Sequence, residues 1–288
     1  MHSHHHAHDH SSERIGWAFG LNVTFTIIEF IGGWLTNSTA IMADAVHDLG
    51  DSLSIGSAWI LNEMSAKGSD KKFTYGYRRL SLFGALLNGV VLIVGSLWVL
   101  TQTVPRLIDP VMPLTEGMLG LAILGICVNG YAALRLSGGK SLNEKILNWH
   151  LLEDVMGWVA VLVISIVLMF IELPILDPIL AIGFTCFILI NVLKNFKETL
   201  KIFFQAVPDS HLINKIHDDL LSINEIDEVH HEHFWSLDGE RHIYTAHIKL
   251  KSFLEYEAYT ALKYETSKKL EKYHLACITL EFEYPGEV

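Results

Sequence analysis

The fold class that the sequence predicts is an α-helical membrane protein, with six transmembrane helices followed by a small cytoplasmic α/β domain of order α-β-β-α-β. Three observations carry it. Half of the 288 residues are hydrophobic and only 18% are charged. The apolar residues gather before Pro208 in six stretches of roughly 20 residues, the length that crosses a bilayer core. Lys and Arg fall almost wholly at one end of those stretches.

The six spans are read at Ile15–Leu35, Ala40–Leu61, Leu82–Val104, Leu114–Leu136, Leu147–Ile171 and Leu176–Val192. One membrane face carries Arg14, Lys67, Lys71, Lys72, Arg78, Arg79, Arg135, Lys140, Lys145, Lys194, Lys197 and Lys201; the other carries Arg106. Basic residues accumulate in cytoplasmic loops, so both termini are expected in the cytoplasm. Short outer turns then fall at Thr36–Ser38, Pro105–Pro113 and Glu172–Pro174. No cleavable signal pattern precedes the first span. The domain boundaries follow as a His-rich cytoplasmic tail at 1–13, a transmembrane domain at 14–207 and a cytoplasmic domain at 208–288. The compact loops point to a bacterial inner membrane.

After Pro208 the periodicity changes. Leu212–Leu221 and Glu255–Tyr273 read as helices; Glu228–Trp235, His242–Lys251 and Ala276–Tyr284 read as strands, the first two joined by an Asp238-Gly239 turn.

Ionisable side chains at bilayer depth cost several kcal/mol, so they normally face a cavity, a partner or an ion. The first span holds Asn22 and Glu29, the second Asp44, His47, Asp48 and Asp51, the fourth Asn129, and the fifth His150, Glu153 and Asp154. The third and sixth are nearly free of charge. The first, second, fourth and fifth spans are therefore expected to line a hydrated path, and the other two to pack. Gly84, Gly89, Gly95, Ala85 and Ser96 of the third span suit close helix approach.

Two segments place a His and an acid four residues apart on one helical face: His47 with Asp51, and His150 with Asp154. Facing helices would combine them into an N2O2 set of the kind Zn²⁺ accepts as a tetrahedron. Spacing alone leaves a tie, because Asp44 and Asp48 are also four apart and Glu153 adjoins Asp154. Histidine marks a borderline metal, which favours His47, Asp51, His150 and Asp154, with Asp44 or Asp48 orienting an imidazole. No Lys or Arg lies centrally in any span, which argues against a purely structural ion-pair network.

Net charge is −11, against a nucleic-acid partner. Cys127, Cys186 and Cys277 are too few and scattered for a disulfide scaffold or a paired metal site, and the first two are expected to be ordinary buried residues. A membrane zinc hydrolase would need an HExxH-like motif, which is missing. A metal-sensing receptor would not need four ligands in the bilayer. No organic cofactor is implied.

The chain resembles the cation diffusion facilitator family, zinc transporter type. The likeness rests on Asn22 and Glu29, the run Ser38–His47 leading to Asp51, Tyr75-Gly76-Tyr77-Arg78-Arg79 before the third span, and Ser141-Leu142-Asn143 leading to His150 and Asp154. The resemblance implies that His47, Asp51, His150 and Asp154 form the transport site, in a homodimer that exports divalent metal from the cytoplasm by alternating access. It also implies a preference for zinc over cadmium, because His stands first in the set. Ser81 stands where relatives commonly carry Glu. Some relatives bind a second metal in the loop between spans two and three; here Ser65–Phe73 has Asp70 but no His, so that site is expected to be absent or very weak.

Six of the sixteen histidines lie in the first ten residues, read as a natural metal-capturing tract. In the cytoplasmic domain, His230, His231, His233, His247, Glu281 and Glu283 are candidate ligands. The resemblance favours His231 and His247, and places Cys277 and Glu281 where His and Gln are frequent. His211, His217, His242 and His274 are read as surface residues. The expected mechanism exchanges cytoplasmic Zn²⁺ for external protons: metal displaces protons from the ligands, and protons returning to imidazoles, which as a class titrate near about 6.5, release it.

Overall fold

The computed structural model describes residues 6–65, 68–137 and 142–287. The predicted metal-capturing tail, residues 1–13, lies outside the residues whose side chains are described. Among the described residues, eight longer helices, one single helical turn and a three-stranded sheet run in the order α1 (His6–Thr36), α2 (Thr39–Ser65), α3 (Leu80–Thr103), the single turn α4 (Pro105–Ile108), α5 (Thr115–Leu136), α6 (Leu142–Phe170), α7 (Leu176–Phe203), α8 (Ser210–Leu221), β1 (Ile226–Ser236), β2 (His242–Leu250), α9 (Tyr256–Glu271) and β3 (Cys277–Glu283).

Two compact units form. One comprises 1–60 and 87–195; the other comprises 61–86 and 196–288. In the first, α5 packs along α6 and α1 against α5. Its core gathers Phe25, Ile41, Met118, Trp158 and Val161, with Trp158 fully buried and edge-on to Phe25 at 5.6 Å. Glycine allows two of the closest approaches. A Cβ on Gly125 would lie 2.3 Å from the Trp158 ring, and one on Gly95 would lie 2.6 Å from Val46, so the third helix uses a predicted small residue to reach α2.

Among the described residues, five helical stretches are long and apolar enough to cross a membrane: Phe19–Thr36, Leu80–Ile108, Thr115–Arg135, Asn148–Phe170 and Leu176–Phe203. The sixth expected span, Ala40–Leu61, is helical within α2, but Asp44, Asp48 and Asp51 interrupt its apolar run and it is not among them. α7 continues well past the expected end at Val192, because Lys194–Lys201 still favours helix after the apolar run stops.

The turn at Asn37, between α1 and α2, has a positive φ of 54°. Arg106 holds it by donating to the Asn37 carbonyl and side-chain oxygen, both at 2.7 Å. One charge on α7 corrects the expectation that this helix only packs. Asp177 is buried, and its carboxylate accepts from Ser38 Oγ, Thr39 N, Thr39 Oγ1 and Ala40 N at 2.5–3.3 Å. It satisfies the orphan amides of the α2 N-terminus from across the bundle. Cys127 and Cys186 are also corrected: both are exposed rather than buried, on long apolar helices whose apolar side chains need not face protein.

The second unit holds the α-β-β-α-β order expected. β1 pairs antiparallel with β2, and β2 pairs parallel with β3, so β2 is central. α8 packs on β1 over Ile216, Leu220, Val229 and Ile248. The Asp209 carboxylate caps α8 by accepting from His211 N and Leu212 N. At the β1–β2 turn Gly239 takes φ 99°, and Asp238 Oδ1 accepts from Glu240 N and Arg241 N.

Candidate metal site

Helical spacing on α2 and α6 projects His47 with Asp51 and His150 with Asp154 from one face each, and the packing of the first unit brings the two faces together. Asp51 Oδ2 is the meeting point, 2.8 Å from His150 Nε2 and 3.5 Å from His47 Nε2. The two imidazoles lie edge to face with centroids 5.5 Å apart. His47, Asp51 and His150 offer ligand atoms all within 4.8 Å of one another, and Asp154 Oδ2 lies 3.8 Å from His150 Nε2.

Tetrahedral zinc with bonds of about 2.0–2.1 Å needs donor atoms roughly 3.4 Å apart. The 3.5 Å and 3.8 Å separations are near that value. The Asp51–His150 hydrogen bond would have to open slightly, since both its atoms would turn to the ion. His47 Nδ1 is buried without a hydrogen-bond partner among the described residues, so none of them locks this imidazole by a second hydrogen bond in the manner usual for a resident metal centre.

The other residues expected along the path are all buried: Asn22, Glu29, Asp44, Asp48 and Asn129. Asn22 Nδ2 donates to Ser52 Oγ at 3.1 Å and to the Asp48 carbonyl at 3.4 Å, tying α1 to α2. Both Glu29 carboxyl oxygens, one oxygen each of Asp44 and Asp48, and Asn129 Nδ2 are buried without hydrogen-bond partners among the described residues. Buried polar atoms left this way are costly. They are suited to a cation or to water. Glu153 faces outward.

A second cluster forms in the sheet unit. His230, His231 and His247 bring ligand atoms within 4.8 Å, and their rings lie 5.0–5.4 Å apart. A bulge creates it. The β1 register slips between His230 and His233, and His231 takes φ 48°, so two consecutive histidines turn to the same side where a regular strand would send them to opposite faces. Glu283 bridges from β3, its oxygens 2.9 Å from His230 Nε2 and 2.5 Å from His247 Nδ1. Those two imidazoles, His247 foremost, hold the Glu283 carboxyl below the usual carboxylate range. Glu281 is 3.6 Å from His247 Nε2. The expected His231, His247, Glu281 and Glu283 thus lie together, and His230 joins them; a cavity beside them includes His233, Thr245 and Thr279.

Two histidines read as surface residues are half-buried. His242 lies against Phe234, and His217 Nδ1 is 2.6 Å from Glu232 Oε2. Glu232 also accepts from the buried Tyr244 hydroxyl at 2.6 Å. Burial and that carboxylate hold the Tyr244 phenol protonated far above its ordinary range. In the loop before α3, Asp70 accepts from Lys72 N, Phe73 N and Tyr77 OH at 2.7 Å each, which holds its carboxyl below the usual range. Ser81, where relatives commonly carry Glu, donates to the Arg78 carbonyl at 2.7 Å.

A family model of the cation efflux transmembrane domain matches residues 17–204. The chain belongs to the cation efflux family. As a member of that family, also called the cation diffusion facilitators, it is an integral membrane protein that moves metal cations and is not an enzyme. It is 30% identical over 280 residues to the zinc transporter ZitB of Yersinia pseudotuberculosis, covering 96% of this chain and 89% of that one. It is 28% identical over 263 residues to the cadmium, cobalt and zinc/H(+)-K(+) antiporter of Bacillus subtilis, covering 90% and 85%. The metal cation efflux system protein CzcD of Cupriavidus metallidurans is 28% identical over 285 residues, covering 96% and 89%.

Proposed function

We propose that the protein exports Zn²⁺ from the cytoplasm in exchange for protons, by alternating access through His47, Asp51, His150 and Asp154. The observation that carries this reading is Asp51 Oδ2 standing within 3.5 Å of both imidazoles, on two different helices. A carboxylate and two imidazoles converging at one point make a borderline-metal site, with Asp154 near enough to complete it. Two relatives' names, a zinc transporter and a cadmium, cobalt and zinc/H(+)-K(+) antiporter, support zinc as cargo and protons as counter-ion.

In the inward-open state, metal displaces protons from the imidazoles and the carboxylates. After the bundle rocks, protons entering from outside compete for the same lone pairs, and the Asp51–His150 hydrogen bond is the pairing the site returns to when the ion leaves. α2 forms the sixth span in this reading, its carboxylates facing the cation path rather than lipid. Both termini lie in the cytoplasm of a bacterial cell, and the transporter works as a homodimer. The boundaries at 13/14 and 207/208 separate tail, transport domain and soluble domain. The soluble domain holds a regulatory zinc on His231, His247, Glu281 and Glu283, with His230 added; the donor set and its spacing fit that ion.

The test is zinc uptake into proteoliposomes by the wild type, Asp51→Ala and Asp154→Ala. Loss of uptake in both variants, with unfolding midpoints preserved, is expected. Uptake retained in both, and lost instead in Asp44→Ala and Asp48→Ala, would move the site one turn along α2.

A further inference from the structure

In the unit formed by 61–86 and 196–288, a cavity of about 260 Å³ has Ser69, Thr74, Tyr75, Arg78, Leu237 and Arg241 among its lining residues. Its two charged lining residues are both arginines. Arg78 Nη1 is 3.6 Å from Asp238 Oδ2, a loose pairing, and the other Asp238 oxygen is taken up by the Glu240 and Arg241 amides. No carboxylate of the described residues pairs with the Arg241 guanidinium. Asp70, the acid of the adjacent loop, accepts from two amides and the Tyr77 hydroxyl, and among the described residues it forms no ion pair with either arginine.

The position of this cavity is set by the chain itself. Arg78 stands two residues before Leu80, where α3 starts and the apolar run that crosses the membrane begins. Lys71 and Lys72 lie exposed on the same loop, and the half-exposed Phe73 and Tyr75 follow them. Aromatics beside basic residues at the end of a span are the signature of the headgroup layer. Guanidinium groups match the oxyanions of phosphate in charge and in fork geometry, and the Ser69 and Thr74 hydroxyls add donors. The volume is below that of pockets for drug-sized ligands, and suits a phosphate with a small attached group.

We propose that this cavity binds the phosphate of an anionic lipid headgroup, with Arg78 and Arg241 as its cationic ligands. The site would seat the soluble domain and the loop before α3 on the membrane surface, independently of the metal site.

The test is native mass spectrometry of the detergent-purified full-length protein, titrated with short-chain phosphatidylglycerol, short-chain phosphatidylcholine or inorganic phosphate. Saturable binding of phosphatidylglycerol is expected, with phosphatidylcholine retained far less. Arg241→Gln and Arg78→Gln should each weaken it by about tenfold or more, as for loss of a charge-assisted contact, and Arg241→Lys should recover part. Asp238→Asn removes the carboxylate competing for Arg78 and should hold or tighten binding; a loss in that variant would mean that Arg78 acts only through the ion pair, and would overturn its assigned role. Circular dichroism and the unfolding midpoint confirm that each variant is folded. Equal retention of both lipids, or unchanged phosphatidylglycerol binding in the double Arg78→Gln/Arg241→Gln protein, would overturn the proposal. Displacement of the lipid by inorganic phosphate at equal concentration would overturn the lipid assignment in favour of a soluble anion.

Discussion

Asp177→Ala is a perturbation whose size follows from counting what the carboxylate does. Four donors at the start of α2 end on it: Ser38 Oγ at 2.5 Å, Thr39 N at 2.7 Å, Thr39 Oγ1 at 2.8 Å and Ala40 N at 3.3 Å. Each buried donor left without a partner costs about 1–3 kcal/mol, and water entering the vacated polar space offsets part of the sum. The net expectation is about 3–5 kcal/mol, the loss of several charge-assisted hydrogen bonds less what water restores. At roughly 2–4 °C per kcal/mol for a chain of this order of length, the unfolding midpoint of the detergent-purified protein should fall by about 10 °C. Asp177→Asn should lie between, because its oxygen still serves Ser38 and Ala40 while its amide nitrogen meets the Thr39 donors. The same helix carries His47 and Asp51, so transport should fall in step with stability. An Asp177→Ala midpoint equal to that of the wild type would refute the claim that this clamp holds α2 in place.

Further outcomes follow from other contacts. Gly125→Ala would press a methyl group 2.3 Å from the fully buried Trp158 ring and should destabilise by about 1–3 kcal/mol, read by thermal unfolding. Gly120→Ala, with nothing within 4 Å, should be neutral or gain up to about 1 kcal/mol. His230→Ala should weaken zinc binding to the soluble domain, measured by calorimetry on full-length protein carrying Asp51→Ala to silence the transport site; equal affinity would remove His230 from the cluster. Glu283 carries a depressed pKa, so what its pairing with His247 and His230 contributes is present above the ordinary carboxylate range and is lost as pH falls through the lowered value. Glu283→Gln should abolish that acid-range dependence in pH-resolved unfolding of the soluble domain.

Much of the architecture was legible because helical period and bilayer length are read directly from apolar patterning. The same holds for the pairs His47/Asp51 and His150/Asp154, since a spacing of four fixes a shared face without any tertiary knowledge. That the two faces meet at Asp51 Oδ2 required the packing of α2 against α6. Asp177 was missed for a similar reason: an acid in the first turn of an apolar helix reads as a local terminus residue, and its partners lie 137 or more positions away. His230 and His231 were both candidate ligands, but their turning to one side was hidden by the bulge, as strict alternation assigns adjacent residues to opposite faces. Cys127 and Cys186 were misplaced because apolar residues of a membrane helix are at home facing outward. The end of α7 was misjudged where hydropathy stops but helix propensity does not.

The central claim, exchange of zinc for protons at the four-residue site, is tested most directly in proteoliposomes holding an internal pH dye and a zinc dye, under an imposed pH gradient. Zinc movement in one direction with simultaneous proton movement in the other, both abolished by Asp51→Ala and by Asp154→Ala, is the predicted result. Zinc flux indifferent to the gradient would contradict the coupling, and coupled flux surviving both substitutions would contradict the site.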